Sequence, residues 1–84
     1  MKYYSHSSAI VESDAVGENT KIGSFTHVMA GSNIGNNCEI YDHVVVETDV
    51  LIGDRVIVKS GVQLWDGLKI EDDVVIGANA TFSA

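Results

Sequence analysis

The residues of this 84-residue chain best suited to chemistry are two histidines, His27 and His43, and the run Gln63-Leu64-Trp65-Asp66-Gly67. An imidazole titrates near neutral pH and can take a proton from an attacking amine or hydroxyl. Asp42 precedes His43, but successive side chains of an extended strand point to opposite faces, so Asp42 is badly placed to orient that ring. A carboxylate for the purpose would come from a neighbouring chain. Trp65 offers a ring either for a subunit contact or for stacking a base or sugar, and Gln63 and Asp66 are placed to hydrogen-bond a sugar hydroxyl or amine. Each also has a plainer role: outward histidines can be solvated or pack between subunits, and polar residues beside a corner need no ligand. His6 lies ahead of the patterned region and is expected to be mobile.

Other chemistries find little support. The single cysteine, Cys38, excludes an internal disulfide and a cysteine-based zinc cluster, and reads as a small buried apolar residue. Glu18, Asn36, Asp54 and Asp72 recur at a fixed spacing, with Asn19, Asn37, Arg55 and Asp73 beside them. Asp54 and Asp72 should repel, but Arg55 and solvent suffice to balance them, and no metal is expected. No Gly-rich phosphate loop, CxxC pair or Ser-His-Asp spacing is present. Formal charge is -7 and the basic residues Lys2, Lys21, Arg55, Lys59 and Lys69 are scattered, which argues against nucleic acid as a partner. The opening MKYYSHSSA lacks the apolar stretch of a signal peptide and no run suits a membrane span, so a soluble, cytoplasmic chain is expected.

What must position these residues is a six-residue repeat. Ile10, Val16, Ile22, Val28, Ile34, Ile40, Val46, Ile52, Val58, Leu64, Ile70 and Ile76 form one aliphatic column, closed by Phe82. A second column, Thr20, Thr26, Ser32, Cys38, Val44, Val50, Val56, Val62, Leu68, Val74 and Ala80, is small or apolar, and only Asp14 breaks it. A third holds Gly17, Gly23, Gly35, Gly53 and Gly77, where a tight corner favours a residue without a Cβ. A helix would spread these positions around its cylinder, and a meander needs longer alternating runs between hairpins. Short flats joined by corners remain, the mark of a solenoid.

Residues 1–9 form a lead-in and 10–84 the repeat domain. Three rows per coil give about four coils stacked at the ~4.8 Å strand spacing. Val16, Ile34, Ile52 and Ile70 then form one inner ladder, Ile22, Ile40, Val58 and Ile76 a second, and Val28, Val46 and Leu64 the third. In this stack His43 lies between Phe25 and Gly61, and Gly61 leaves room over the imidazole. Both ends expose unpaired strand edges, and exposed Trp65, Phe25 and Tyr41 ask for cover, so self-association is expected.

The repeat, with the segment GVQLWDGLKIEDDVVIGANATF, resembles the left-handed β-helix acyltransferases and within them the N-acetyltransferases of dTDP-3-amino-3,6-dideoxyhexoses. The resemblance runs from about Val16 to Phe82. It implies an all-β, single-stranded left-handed parallel β-helix, a homotrimer, acetyl-CoA as acyl donor in the groove between prisms, and a nucleotide-sugar acceptor for surface glycan synthesis. His43 and His27 are then the candidate catalytic bases, and Gln63, Trp65 and Asp66 the candidate substrate contacts. Some members carry a downstream cupin ketoisomerase domain. Members of this branch continue with Thr-Asn-Asp and further coils where this chain has Ser83 and Ala84, so the domain is expected to be truncated at its C-terminus and to need extension for turnover. The other reading is a non-catalytic trimerising module.

Overall fold

The computed structural model describes residues 2–82 and the side chains of residues 2–81; the Phe82 ring expected to close the aliphatic column, and Ser83 and Ala84, lie outside them. The strands are β1 (Tyr4–Ser5), β2 (Ile10–Val11), β3 (Lys21–Ile22), β4 (His27–Val28), β5 (Asn33–Ile34), β6 (Glu39–Ile40) and β7 (Val45–Val46). They continue as β8 (Leu51–Ile52), β9 (Ile57–Val58), β10 (Gln63–Leu64), β11 (Lys69–Ile70), β12 (Val75–Ile76) and β13 (Thr81–Phe82). Each pairs in parallel with a strand of the next coil, giving three sheets in the orders β1-β3-β6-β9-β12, β2-β4-β7-β10-β13 and β5-β8-β11. The chain is a parallel β-helix of hexapeptide rows, about four coils long, whose coils bury their apolar sides against one another.

Each row follows one plan. A strand carries an outward residue and then an inward aliphatic one; three residues round the corner, and a small or branched residue points inward before the next strand. Ile22, Val28, Ile34, Ile40, Val46, Ile52, Val58 and Leu64 are all at most 3% exposed, and Val44, Val50, Val56 and Val62 are fully buried. Burial of each branched aliphatic contributes about 1.5–3 kcal/mol. The three inner ladders pair as their 18-residue spacing predicts.

The corners have a column of their own. Backbone with positive φ returns every six residues at Asn19, Phe25, Gly31, Asn37, His43, Asp49, Arg55, Gly61, Gly67, Asp73 and Asn79. Gly adopts this conformation freely and Asn and Asp tolerate it, which explains most of the column. The glycines expected at tight corners do something else, since Gly35 and Gly53 have ordinary φ. A Cβ on Gly35 would collide with Asp54 Oδ1, and one on Gly53 with Asp72 Oδ1. Those oxygens accept the N–H of Asn36 and of Asp54, both at 2.8 Å. Glycine is needed there for close approach between coils. The same bonds, with Arg55 bound to Asp73 at 2.7 and 3.2 Å and 3.9 Å from Asp72, offset the repulsion expected in the acidic columns.

The first coil departs from the expected phase. Ile10 does not enter the aliphatic column; it is 55% exposed, and Val11 takes the inner place, paired with Val28. Val11 and Val28 are 17 residues apart, whereas Val16 and Ile34 keep the 18-residue spacing, so one row is a residue short. Its inner corner is filled by Ser13 while Asp14 faces outward. The Ser13 hydroxyl donates to the Ser32 carbonyl at 2.6 Å and accepts the Ala15 N–H at 3.0 Å, so its burial leaves no polar atom unpaired. Within the first nine residues, β1 pairs with β3, and His6 is tied by its N–H to the Ile22 carbonyl at 2.9 Å.

Candidate functional site

The sheet β2-β4-β7-β10-β13 carries most of the candidate residues. Its outward column reads Ile10, His27, Val45, Gln63 and Thr81 in register. Just past the inward residues, Glu12, Met29, Glu47 and Trp65 follow one another, each N–H of the first three bonding the next coil's inner carbonyl. His27, Gln63 and Trp65 therefore lie on one face, two coils deep.

His27 Nε2 stands 3.1 Å from Glu12 Oε1, with the two side chains 36% and 50% exposed. With the carboxylate accepting from Nε2–H, a neutral ring keeps Nδ1 as its proton acceptor. A carboxylate that orients an imidazole makes it a competent general base. Glu12 is absent from the sequence reading because the short first row moves it out of the 18-residue phase. This partner comes from the chain itself.

His43 is placed differently. It occupies a corner with φ 57°, and its ring stacks on Phe25 with centroids 5.2 Å apart and 21° between planes. Asp42 Oδ1 accepts the Ser24 N–H at 2.9 Å in the preceding coil, so Asp42 is engaged away from the imidazole. Phe25 is itself a corner residue, φ 56° and 65% exposed. A bulky residue in that conformation costs roughly 1–2 kcal/mol, and Phe25 returns little of it through burial.

Trp65 is 38% exposed at the end of β10, where the Leu68 N–H bonds its carbonyl at 3.2 Å to close the turn. Asp66 follows it, and its N–H bonds Glu47 Oε1 at 3.1 Å. Glu47, half-buried beneath Trp65, is thus the residue that holds the Trp65–Asp66 turn, and the sequence reading did not single it out. Its signal was available: it lies 18 residues before Trp65.

The larger concavities described lie elsewhere. One of about 440 Å³ is lined by Leu68, Ile70, Val74 and Ile76, and one of about 310 Å³ by Tyr4, Lys21, Glu39 and Tyr41. Neither includes His27, Gln63 or Trp65. Among the described residues, no group of three or more His, Cys, Asp or Glu is arranged to hold a metal ion. The Cys38 thiol is buried, and desolvation pushes its pKa up, which makes it a poor nucleophile.

The sequence matches the family model described as bacterial transferase hexapeptide (six repeats) over residues 15–48 and 49–84. It is also 39% identical over 49 residues to acyl-[acyl-carrier-protein]–UDP-N-acetylglucosamine O-acyltransferases of Brucella ovis, Brucella canis and Brucella suis. Each of those matches covers 57% of this chain and 18% of the relative, so the matched segment spans less than a fifth of those proteins.

Proposed function

The chain belongs to the bacterial transferase hexapeptide family, and on that premise we propose that it forms part of a homotrimeric acyltransferase acting on a nucleotide-linked amino sugar. The acceptor is a dTDP-3-amino-3,6-dideoxyhexose and the donor acetyl-CoA. The observation that supports this reading is the Glu12–His27 pair on the face it shares with Gln63 and Trp65. The amine lone pair attacks the thioester carbonyl, the new C–N bond forms as C–S breaks, and the nitrogen's proton passes to His27 Nδ1 and then to the leaving thiolate. Gln63 and Asp66 hold the sugar, and Trp65 packs against it or against a neighbouring subunit. A second prism supplies the other wall of the site.

The relatives' name gives an acyl carrier protein as donor, UDP-N-acetylglucosamine as acceptor and oxygen as the acylated atom. Calorimetric titration of the chain with the dTDP-amino sugar, UDP-N-acetylglucosamine, CoA and acyl carrier protein separates the two substrate sets. Heat from the dTDP sugar or CoA, weakened in Trp65→Ala, is expected. Heat from the UDP sugar and carrier protein alone would move the substrate assignment to the relatives' chemistry. Silence with all four, in this chain and in one extended beyond Ala84, would replace the enzyme by a non-catalytic trimerising module, whereas binding by the extended chain alone would mean that this chain is an incomplete part of the enzyme. Where turnover is measured, His27→Gln should lower it by roughly 10²–10⁴-fold.

A further inference from the structure

The concavity of about 310 Å³ lies on the sheet β1-β3-β6-β9-β12, away from the face that carries His27, Gln63 and Trp65. Tyr4, Lys21 and Glu39 stand in register as the outward residues of β1, β3 and β6. Gly23 and Tyr41 each follow their strand by one residue, so the glycine adds no side chain where the next coil carries an aromatic ring. Ile22 and Ile40 are 1% and 2% exposed and turn their side chains into the core, so backbone floors the hollow. The Asp42 side chain closes its corner end, with Oδ1 lying against Gly23 and accepting the Ser24 N–H.

The walls of this hollow are not satisfied by the chain. Lys59 Nζ, from the coil beyond Tyr41, stands 4.6 Å from that ring's centroid, and the hollow lies on the other side, toward Gly23. Tyr41 is 39% exposed and Tyr4 62%. Two aromatic rings left in water beside one concavity form an apolar surface without cover. Lys21 and Glu39 are partners across neighbouring strands, where opposite charges ordinarily attract. Among the described residues, however, Lys21 joins no ion pair, and Glu39 Oε1 accepts the Tyr41 hydroxyl at 3.4 Å instead.

We propose that this hollow binds one pyranose ring of an uncharged sugar, at a site separate from the transferase face. The C–H face of a pyranose is apolar and packs on an aromatic ring, here Tyr41 with Tyr4 beside it. A hydroxyl both donates and accepts, so it satisfies a carboxylate and an ammonium together: Glu39 and Asp42 accept, and Lys21 donates. The volume is at the low end of the ~300–1,000 Å³ of ligand pockets, which suits a single ring. A phosphorylated sugar fits less well, because two carboxylates accompany the one ammonium. Such a site stands whether or not the chain transfers acyl groups.

The test is an NMR titration of the isotope-labelled chain with the methyl glycosides of glucose, galactose, mannose and N-acetylglucosamine. Saturable movement of the Tyr4 and Tyr41 ring protons and of the Gly23 amide is expected with at least one. Tyr41→Ala should weaken that binding about tenfold, Lys21→Met should weaken it less, and Tyr41→Phe, which keeps the ring, should retain most of it. Native circular dichroism of each variant keeps the comparison valid. Rings that stay still with all four glycosides, or unchanged affinity in folded Tyr41→Ala, would overturn the site. Shifts confined to Gln63 and Trp65 would overturn it too, by putting the sugar on the transferase face. Still rings together with a smaller assembly of Tyr41→Ala by light scattering would assign the tyrosine to a subunit contact instead. Acetyl transfer by a chain whose tyrosines do not respond removes this site and leaves the transferase reading intact.

Discussion

The inner corners of the early and late coils occupy the same slot and fill it in opposite ways. In the early coils it holds Ser13, Thr20, Thr26 and Ser32, each at most 7% exposed; later it holds the fully buried Val44, Val50, Val56 and Val62. The hydroxyls of Ser13, Thr20 and Thr26 tie one coil to the next, while that of Ser32 donates to the Met29 carbonyl of its own row. Thr20 Oγ1 donates to the Gly35 carbonyl at 2.7 Å and accepts the Cys38 N–H at 3.1 Å. Thr26 repeats this with the Tyr41 carbonyl at 2.7 Å and the Val44 N–H at 3.2 Å. A valine fills the slot by shape alone, whereas a hydroxyl also specifies which residue stacks on which. That distinction counts where the row spacing slips to 17 residues, and it is there that Glu12 is brought to His27. Ser13 holds register in the irregular row, and Thr20 and Thr26 do so between coils that keep the 18-residue spacing; apolar corners supply cohesion in the later coils.

The comparison predicts unequal costs. Leu64→Ala, in the apolar half, should lose about 2–5 kcal/mol by urea unfolding, because coil stacking on both sides resists collapse of the cavity. Thr26→Val should cost about 1–3 kcal/mol, since the Tyr41 carbonyl loses its buried donor despite the matched shape. Val56→Thr, the reverse exchange, should cost less than about 1 kcal/mol if the slot offers every row the same carbonyl and N–H. An equal loss in the two exchanges would mean that hydroxyls and methyls are interchangeable here, and that register rests on the aliphatic column alone.

The smallest effect expected is at the surface. The hydrogen bond from Arg55 holds the Asp73 carboxyl below its ordinary 3.8, although partial desolvation opposes this. A carboxyl depressed in the folded state adds stability above its unfolded value and loses it as pH falls through the folded one. Asp73→Asn should therefore narrow the drop in urea midpoint on acidification below about pH 4, and leave the Thr26 and Val56 comparison unchanged. A steeper acid loss in the variant would show that Asp73 is not the titrating partner of Arg55.

Much of this was legible in the sequence. Aliphatic residues six apart from Val16 onward specify the coil, because only a three-sided prism brings every one of them inward. The 18-residue stacking by itself places His43 between Phe25 and Gly61. The corner column was readable too, in Asn19, Asn37, Asp49, Asp73 and Asn79, but the glycines at 17, 23, 35, 53 and 77 point to the position two residues earlier. Gly17, Gly23, Gly35 and Gly53 answer to the side chain of the next coil, a contact with no local signature.

Periodicity determined the architecture, since a repeat needs only its own composition to state which side of each residue is buried. The site was decided by tertiary structure. Whether Ile10 or Val11 turns inward depends on one missing residue, and alternation makes a single-residue slip exchange the buried and exposed faces. The Glu12–His27 pair and the use of Glu47 to hold the Trp65–Asp66 turn follow from how coils settle on one another. That settling is a balance of packing and hydrogen bonding between rows, and no single row contains it.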